Sequence, residues 1–254
     1  MDVSRKLPNE DLMSTAMSNE PLSGLQPSTE TGVSVVVCCH NGATRLPAVL
    51  GHLAAQQVVG IDWEVIVVDN ASTDDTALVP RACWPDEPPA ILRVISEPIL
   101  GLAHARERGL GAARYEVVSF LDDDNWASPN WVQTASQTME QHLDIGACGG
   151  YSQAKTEAIL PSWFHQNQRS YAVGSQMGLA GAQADDPPVL WGAGLTIRKR
   201  AWLQLVDRGF RPLLSDRQGV SLSSGGDTEL CLALRLIGWR LCYEPALQLT
   251  HYLP

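Results

Sequence analysis

A chain of 254 residues, 44% hydrophobic and 18% charged, is long enough to bury a large core and has the balance of a soluble globular protein. Its formal net charge of −10 argues against a nucleic-acid binder, which would carry a basic stripe, and gives no support to docking on anionic lipid. No apolar run approaches the roughly 18 residues that span a bilayer, and the N-terminus has no apolar signal core, so the expected location is cytoplasmic, with peripheral membrane contact left open.

Residues 1–31 are rich in Ser, Thr, Asn, Glu and Pro without periodicity and read as a disordered tail. From Val33 the pattern changes to Val33-Ser34-Val35-Val36-Val37-Cys38-Cys39, a continuous apolar run typical of a strand buried on both faces. Residues 44–57 follow with helical spacing at Leu46, Val49, Leu50, Leu53 and Ala54. A second strand spans 63–68, a third spans 91–95, and Gly101 leads into a helix over 102–113. A fourth strand, 115–121, is followed by a helix from Pro129 to His142.

The second half is less regular. Gly146 to Tyr151 reads as a strand, 152–188 as loop-like with the aromatic residues Trp163, Phe164 and Tyr171, and Trp191 to Ile197 as a Gly-rich turn entering a strand. A helix over 198–206, a helix opened by Gly225-Gly226-Asp227 and ended by Gly238, and a strand over 239–243 complete the chain. Strands alternating with helices predict a mostly parallel α/β sheet with both faces covered. Six cysteines (38, 39, 83, 148, 231 and 242) form no Cys-x-x-Cys pair and read as small buried hydrophobes in a reducing compartment.

Polar clusters recur at the carboxyl ends of the strands: His40-Asn41, Asp69-Asn70, Glu97 and Asp122-Asp123-Asp124. In open α/β sheets that edge is where ligands bind. Three adjacent carboxylates at a strand end repel one another, and a divalent cation with hard oxygen ligands would relieve them. The competing reading is a solvated turn that starts a helix, with Asn125 or Ser128 as its cap and Pro129 at the first helical position.

Four segments then occur in an order that resembles the family 2 glycosyltransferases. They are Cys39-His40-Asn41-Gly42; Val67 to Asp74; Gly101 to Gly109 followed by Asp122-Asp123-Asp124; and Gly226-Asp227-Thr228-Glu229-Leu230 with Leu234-Arg235 and Gly238. The resemblance covers residues 32–254. It implies a single-domain GT-A type, Rossmann-like fold with a nucleotide-sugar half over 32–125 and an acceptor-side half over 126–254. It also implies an inverting, metal-dependent transfer of sugar from a nucleotide-sugar, a UDP-sugar being favoured, to a glycan or lipid-linked hydroxyl. Many relatives continue past the position of Pro254, so a C-terminally truncated catalytic domain is one expectation.

Carried over residue by residue, the resemblance makes Asp124 a ligand of Mn2+ or Mg2+ and His251 a completing ligand. Asp122 or Asp123 would reach the ribose, Asp69 the nucleobase, and His40 and Asn41 the base or ribose. Arg106 would contact the diphosphate, its planar fork suiting phosphate oxygens; an ion pair on the helix surface is the plain alternative. Trp191 and Gly192 would lie beneath the donor sugar. Asp227 would be the general base that takes the acceptor proton, a position at which Asp is also a favoured helix cap. Gly226 stands where the family usually has Glu, which leaves Glu229 as the substitute acid. Two other readings stay open: a nucleotidyltransferase, which would want a Lys-bearing phosphate loop that Asn41-Gly42-Ala43-Thr44-Arg45 does not supply, and a catalytically silent nucleotide-binding module.

Overall fold

The first apolar run forms β1 (Val33–Cys39), and all seven of its side chains are buried. In a computed structural model that describes residues 30–177, 187–214, 216–218, 221–222 and 224–253, the chain then continues through α1 (Leu46–Ala54), β2 (Trp63–Asn70), α2 (Val79–Cys83), β3 (Ile91–Glu97), α3 (Leu102–Ala112) and β4 (Val117–Asp122). Next come β5 (Asn125–Ala127), α4 (Trp131–Gln141), β6 (Ile145–Lys155), α5 (Phe164–Asn167), β7 (Thr196–Arg198) and α6 (Lys199–Asp207). A two-stranded ribbon of β8 (Arg217–Gln218) and β9 (Ser221–Leu222), then α7 (Gly226–Leu236) and β10 (Arg240–Tyr252), end the fold. The tail expected over 1–31 falls, up to residue 29, outside the described residues, as do 178–186 of the loop-like stretch.

The eight remaining strands make one sheet in the order β3-β2-β1-β4-β7-β6-β10-β5. Pairings are parallel from β3 to β4 and between β6 and β10; β7 and β5 enter antiparallel. The mostly parallel α/β sheet is therefore observed. Alternation along β1 explains its unbroken hydrophobicity. Val33, Val35, Val37 and Cys39 pack with Leu46, Leu50 and Leu53 of α1 and Trp131, Val132 and Met139 of α4. Val36 and Cys38 face the opposite layer, with Ala105 and Leu110 of α3, Trp202 and Leu205 of α6, and Cys231 and Leu234 of α7. A strand with both faces covered has no polar side to show.

Three boundaries differ from the sequence reading. The strand expected over 239–243 runs on to Tyr252 after a register shift between Tyr243 and Gln248, where Glu244-Pro245 interrupts the apolar pattern. The strand expected to stop at Tyr151 continues to Lys155 beside it. The segment after the aspartates forms β5 against β10, with Asn125 opposite His251, rather than a helix start. Neither Asn125 nor Ser128 caps the next helix: α4 begins at Trp131 after Asn130, without a side-chain cap. Asn125 closes the aspartate turn instead, its Oδ1 accepting from Asp122 N at 3.2 Å and its Nδ2 donating to Asp124 Oδ1 at 2.9 Å. None of the six cysteines is in a disulfide; Cys38, Cys39, Cys148 and Cys231 are buried, Cys83 is exposed and Cys242 half-buried.

Candidate active site

Register alone brings the polar clusters together: β1 pairs Cys39 with Asp69 on one side and Cys38 with Asp122 on the other. The two loops leaving β1 and β2 are stitched to each other. Asn41, at φ 49°, accepts on Oδ1 from Thr73 N at 2.8 Å and donates its own N–H to Ser72 Oγ at 3.0 Å. Asp74 accepts from Ala43 N at 3.1 Å and from Thr76 N at 3.1 Å, and the Thr76 hydroxyl bond holds its carboxyl below the usual range. His40 donates from Nδ1 to Asn70 O at 2.7 Å, which leaves Nε2 to accept from Asn41 Nδ2 at 3.3 Å. Asp69, half-buried, accepts on Oδ1 from Ser72 N at 3.3 Å.

Asn70, beside it, was only part of a polar cluster in the sequence, yet it organises this edge. Its Nδ2 donates to Glu97 O at 3.2 Å and Ile99 O at 2.6 Å, and its Oδ1 accepts from Gly101 N at 2.8 Å. One amide thereby fixes the β3–α3 connection and the start of α3.

The three consecutive aspartates take three environments. Asp123 is buried and grips Arg45 through two bonds, 3.0 Å from Nε and 2.7 Å from Nη2, while Cys39 Sγ donates to it at 3.1 Å. Its carboxylate is committed to the β1–α1 loop, and Gly42 must be glycine because a β-carbon there would lie 2.2 Å from Asp123 Oδ2. Asp122 remains partly open, with Oδ1 4.0 Å from Arg106 Nη2. Burial pushes its pKa up to about 6, with Arg106 opposing and Asp124 reinforcing the shift. Asp124 Oδ2 lies 3.6 Å from His251 Nε2. Burial opposes charge on that ring, but Asp124, Asp122 and the Tyr171 carbonyl outweigh it and raise the His251 pKa.

Among the described residues no group of three or more His, Cys, Asp or Glu side chains is arranged as a complete cation site. The donors present nevertheless fit a divalent ion shared with phosphate oxygens. His251 Nδ1 donates to Tyr171 O at 2.9 Å, which fixes the tautomer and leaves Nε2 toward Asp124, as in imidazole–metal sites. The carboxylate suits Mn2+ or Mg2+ when phosphate and water complete the shell, and the imidazole is the softer donor of the set.

Arg106, on α3, spans the two halves of the site. Its Nη1 donates to Asp216 Oδ2 at 3.2 Å while Nη2 faces Asp122, and it packs so close to Gly192 that a β-carbon there would sit 2.3 Å from Nη2. Gly192 N donates to Asp227 Oδ2 at 2.8 Å, and Asp227 Oδ1 accepts from Thr228 N at 2.7 Å. Asp227 thus sits in the first turn of α7 with its carboxylate held against the 191–194 turn. Trp191 is half-buried, with its N–H on Gln176 Oε1 at 2.6 Å and the Arg169 guanidinium over its ring at 5.6 Å. Glu229 is engaged with the backbone, accepting from Leu213 N at 2.9 Å and Leu214 N at 3.1 Å. Asp216 was not singled out in the sequence; the signal available was Gly226 before Asp227, where a β-carbon would meet the Asp216 carboxylate.

Comparison with known proteins agrees with this architecture. The model of the family described as Glycosyl transferase family 2 matches residues 34–201, more than half of the chain. Among curated proteins, the validoxylamine A glucosyltransferase of Streptomyces hygroscopicus is 33% identical over 125 residues, covering 47% of this chain and 29% of that protein. The succinoglycan biosynthesis protein ExoO of Rhizobium meliloti is 35% identical over 129 residues, 47% of this chain and 35% of that one. The chain therefore aligns with about a third of either relative's length. Among solved structures, S. aureus TarS in complex with UDP-GlcNAc superposes with TM-score 0.60 at 17% identity, over 88% of this chain and 59% of that one. The Pyrobaculum calidifontis mannosyltransferase PcManGT, in complex with GDP-Man and Mn2+, gives 0.61 at 22% identity, over 93% and 61%. At such identities the likeness shows the fold, which is that of GT-A glycosyltransferases. Sequence match and fold converge on one conclusion: the chain belongs to glycosyl transferase family 2.

Proposed function

We propose that the chain is a metal-dependent, inverting transferase that moves a sugar from a nucleotide-sugar, a UDP-sugar being favoured, to the hydroxyl of a glycan or lipid-linked acceptor. The observation that carries this reading is the placing of opposite chemistries on one sheet edge. Asp124 and His251 lie 3.6 Å apart beside Asp122, Arg106 reaches 4.0 Å from Asp122, and Asp227 is anchored across the Gly192 turn.

His40, Asn41 and Asp69 would hold the nucleoside, and Asp122 the ribose; Asp123, paired with Arg45, supports the loop rather than the ligand. Asp124 and His251 would hold the cation, which when bound neutralises diphosphate charge as the glycosidic bond breaks. Arg106 adds a guanidinium that hydrogen-bonds to phosphate oxygens. Asp227 takes the proton from the acceptor hydroxyl as that oxygen attacks the anomeric carbon from the face opposite the leaving diphosphate. Its two backbone hydrogen bonds leave lone pairs on both oxygens for that proton. Trp191, its ring covered by Arg169, borders the sugar.

Calorimetry with UDP, GDP and dTDP, each with and without Mn2+, tests the reading. Binding of one nucleoside diphosphate that strengthens with Mn2+ and loses that gain in Asp124→Ala is expected. No binding in any condition would sink it, and a Mn2+ effect that survives Asp124→Ala would remove Asp124 from the cation site.

A further inference from the structure

Gly226 opens α7, immediately before Asp227. A β-carbon built on it would lie 2.4 Å from Oδ2 and 2.8 Å from Cγ of Asp216. The space a side chain at 226 would enter is already filled by a carboxylate from ten residues earlier. Asp216 is 7% exposed, and its φ of 53° lies in the left-handed region, which disfavours residues other than glycine. Such a conformation persists where surrounding contacts over-determine it, and here they do. Oδ1 accepts from Gly226 N at 2.7 Å, and Oδ2 accepts from Arg106 Nη1 at 3.2 Å.

Following these contacts around the site closes a ring. Arg106 faces Asp122, is held by Asp216, and packs on Gly192; Gly192 N donates to Asp227, which adjoins Gly226, whose N–H returns to Asp216. Two members of that ring, at 192 and 226, have room for no side chain. The ring couples the arginine of the donor half to the helix end that carries Asp227.

We propose that Asp216 is a positioning residue for sugar transfer, delivering into the space left by Gly226 a second carboxylate that locks Arg106 to the Asp227-bearing end of α7. This rests on the reading of Arg106 as a diphosphate contact and Asp227 as the base. Asp216 acts through Arg106 and the Gly226 N–H, setting where Arg106 and Asp227 stand relative to each other. A charged hydrogen bond suits that task, being roughly twice as strong as a neutral one.

Asp216→Asn keeps the shape and an acceptor for Gly226 N–H but removes the charge that holds Arg106. The readout is hydrolysis of whichever UDP-, GDP- or dTDP-sugar the wild type turns over fastest, alongside calorimetric binding of the matching diphosphate and thermal melting. In Asp216→Asn, kcat should fall about tenfold or more while diphosphate affinity stays within about threefold, a split that a merely structural role would not produce. Gly226→Ala, which displaces the carboxylate sterically, should reproduce the loss and add nothing to Asp216→Asn; Arg106→Lys combined with Asp216→Asn should lose no more than the worse single variant. Wild-type kcat in Asp216→Asn, full activity in Gly226→Ala, or additive losses with Arg106→Lys would each overturn the proposal. Asp227→Asn, measured in parallel, separates the two ideas. If it collapses while Asp216→Asn keeps its rate, only the present proposal fails. If Asp227→Asn turns over normally, the base assignment fails first.

Discussion

Asp122, Asp123 and Asp124 are identical in chemistry and adjacent in sequence, yet each meets a different fate. Asp123 is consumed by Arg45, Asp124 lies beside an imidazole whose tautomer a carbonyl fixes, and Asp122 is left under-compensated. Because burial raises the Asp122 pKa from 3.8 to about 6, the folded chain binds more protons than the unfolded chain between those values. Stability contributed by this group therefore declines as pH rises through that window. Without metal or nucleotide, Asp122→Asn should accordingly melt higher than wild type at pH 7, with the gap closing near pH 4; a constant or reversed gap in melts from pH 4 to 8 would refute the assignment. The same variant should bind nucleoside diphosphate more weakly, a trade of stability for function common at strained sites. Asp227→Asn should behave oppositely, leaving diphosphate affinity nearly unchanged while transfer falls by roughly 10²–10⁴-fold, the range typical of general-base loss. Unchanged turnover in a donor-hydrolysis assay would reject that role.

Elements carry the site only as well as their ends are tied. Asn70 secures the end of β3 and the first turn of α3 through three hydrogen bonds of 3.2, 2.6 and 2.8 Å. Asn70→Ala would strand a buried amide N–H and two carbonyls, each worth about 1–3 kcal/mol where water cannot reach it. With partial rescue by solvent the expected loss is about 2–4 kcal/mol in urea unfolding, with weaker diphosphate binding because His40 hydrogen-bonds to the Asn70 carbonyl and Asp69 adjoins it. A loss below half a kcal/mol would mean the loop is held by something else. The long buried elements were legible in the sequence: β1, β2, β4 and the helices α1, α3, α4, α6 and α7 lie where continuous apolar runs or helical spacing put them. Two were not. β5 is three residues long, too short for any periodicity, and exists because Trp126 and Ala127 pair with the far end of β10. The second half of β10 is hidden because Glu244-Pro245 breaks the pattern in a strand that resumes after a bulge. That unread half is the part that carries His251.

For the whole molecule, one sheet covered on both faces supplies a rigid edge from which the loops present their polar groups. A ligand that binds only the folded edge stabilises the entire fold by mass action. At a hundred times its dissociation constant, a nucleoside diphosphate with Mn2+ should add about 2.7 kcal/mol and raise the melting temperature by roughly 5–10 °C, and a chelator should remove the Mn2+-dependent part. No shift with any of UDP, GDP or dTDP would count against the proposed donor class. Among the described residues no helix is long and apolar enough to cross a membrane. The sequence by itself determined the layered α/β architecture, because burial on two faces demands unbroken apolar strands, and the order of its four motifs carried the resemblance to the family. It could nominate Asp122, Asp124, Arg106, Asp227 and His251 as partners, but not divide the labour among three neighbouring carboxylates. Only the tertiary structure assigned Asp123 to Arg45, brought His251 to Asp124, and set Asp216 into the space above Gly226, since each depends on groups ten or more residues apart meeting at distances that no local pattern encodes.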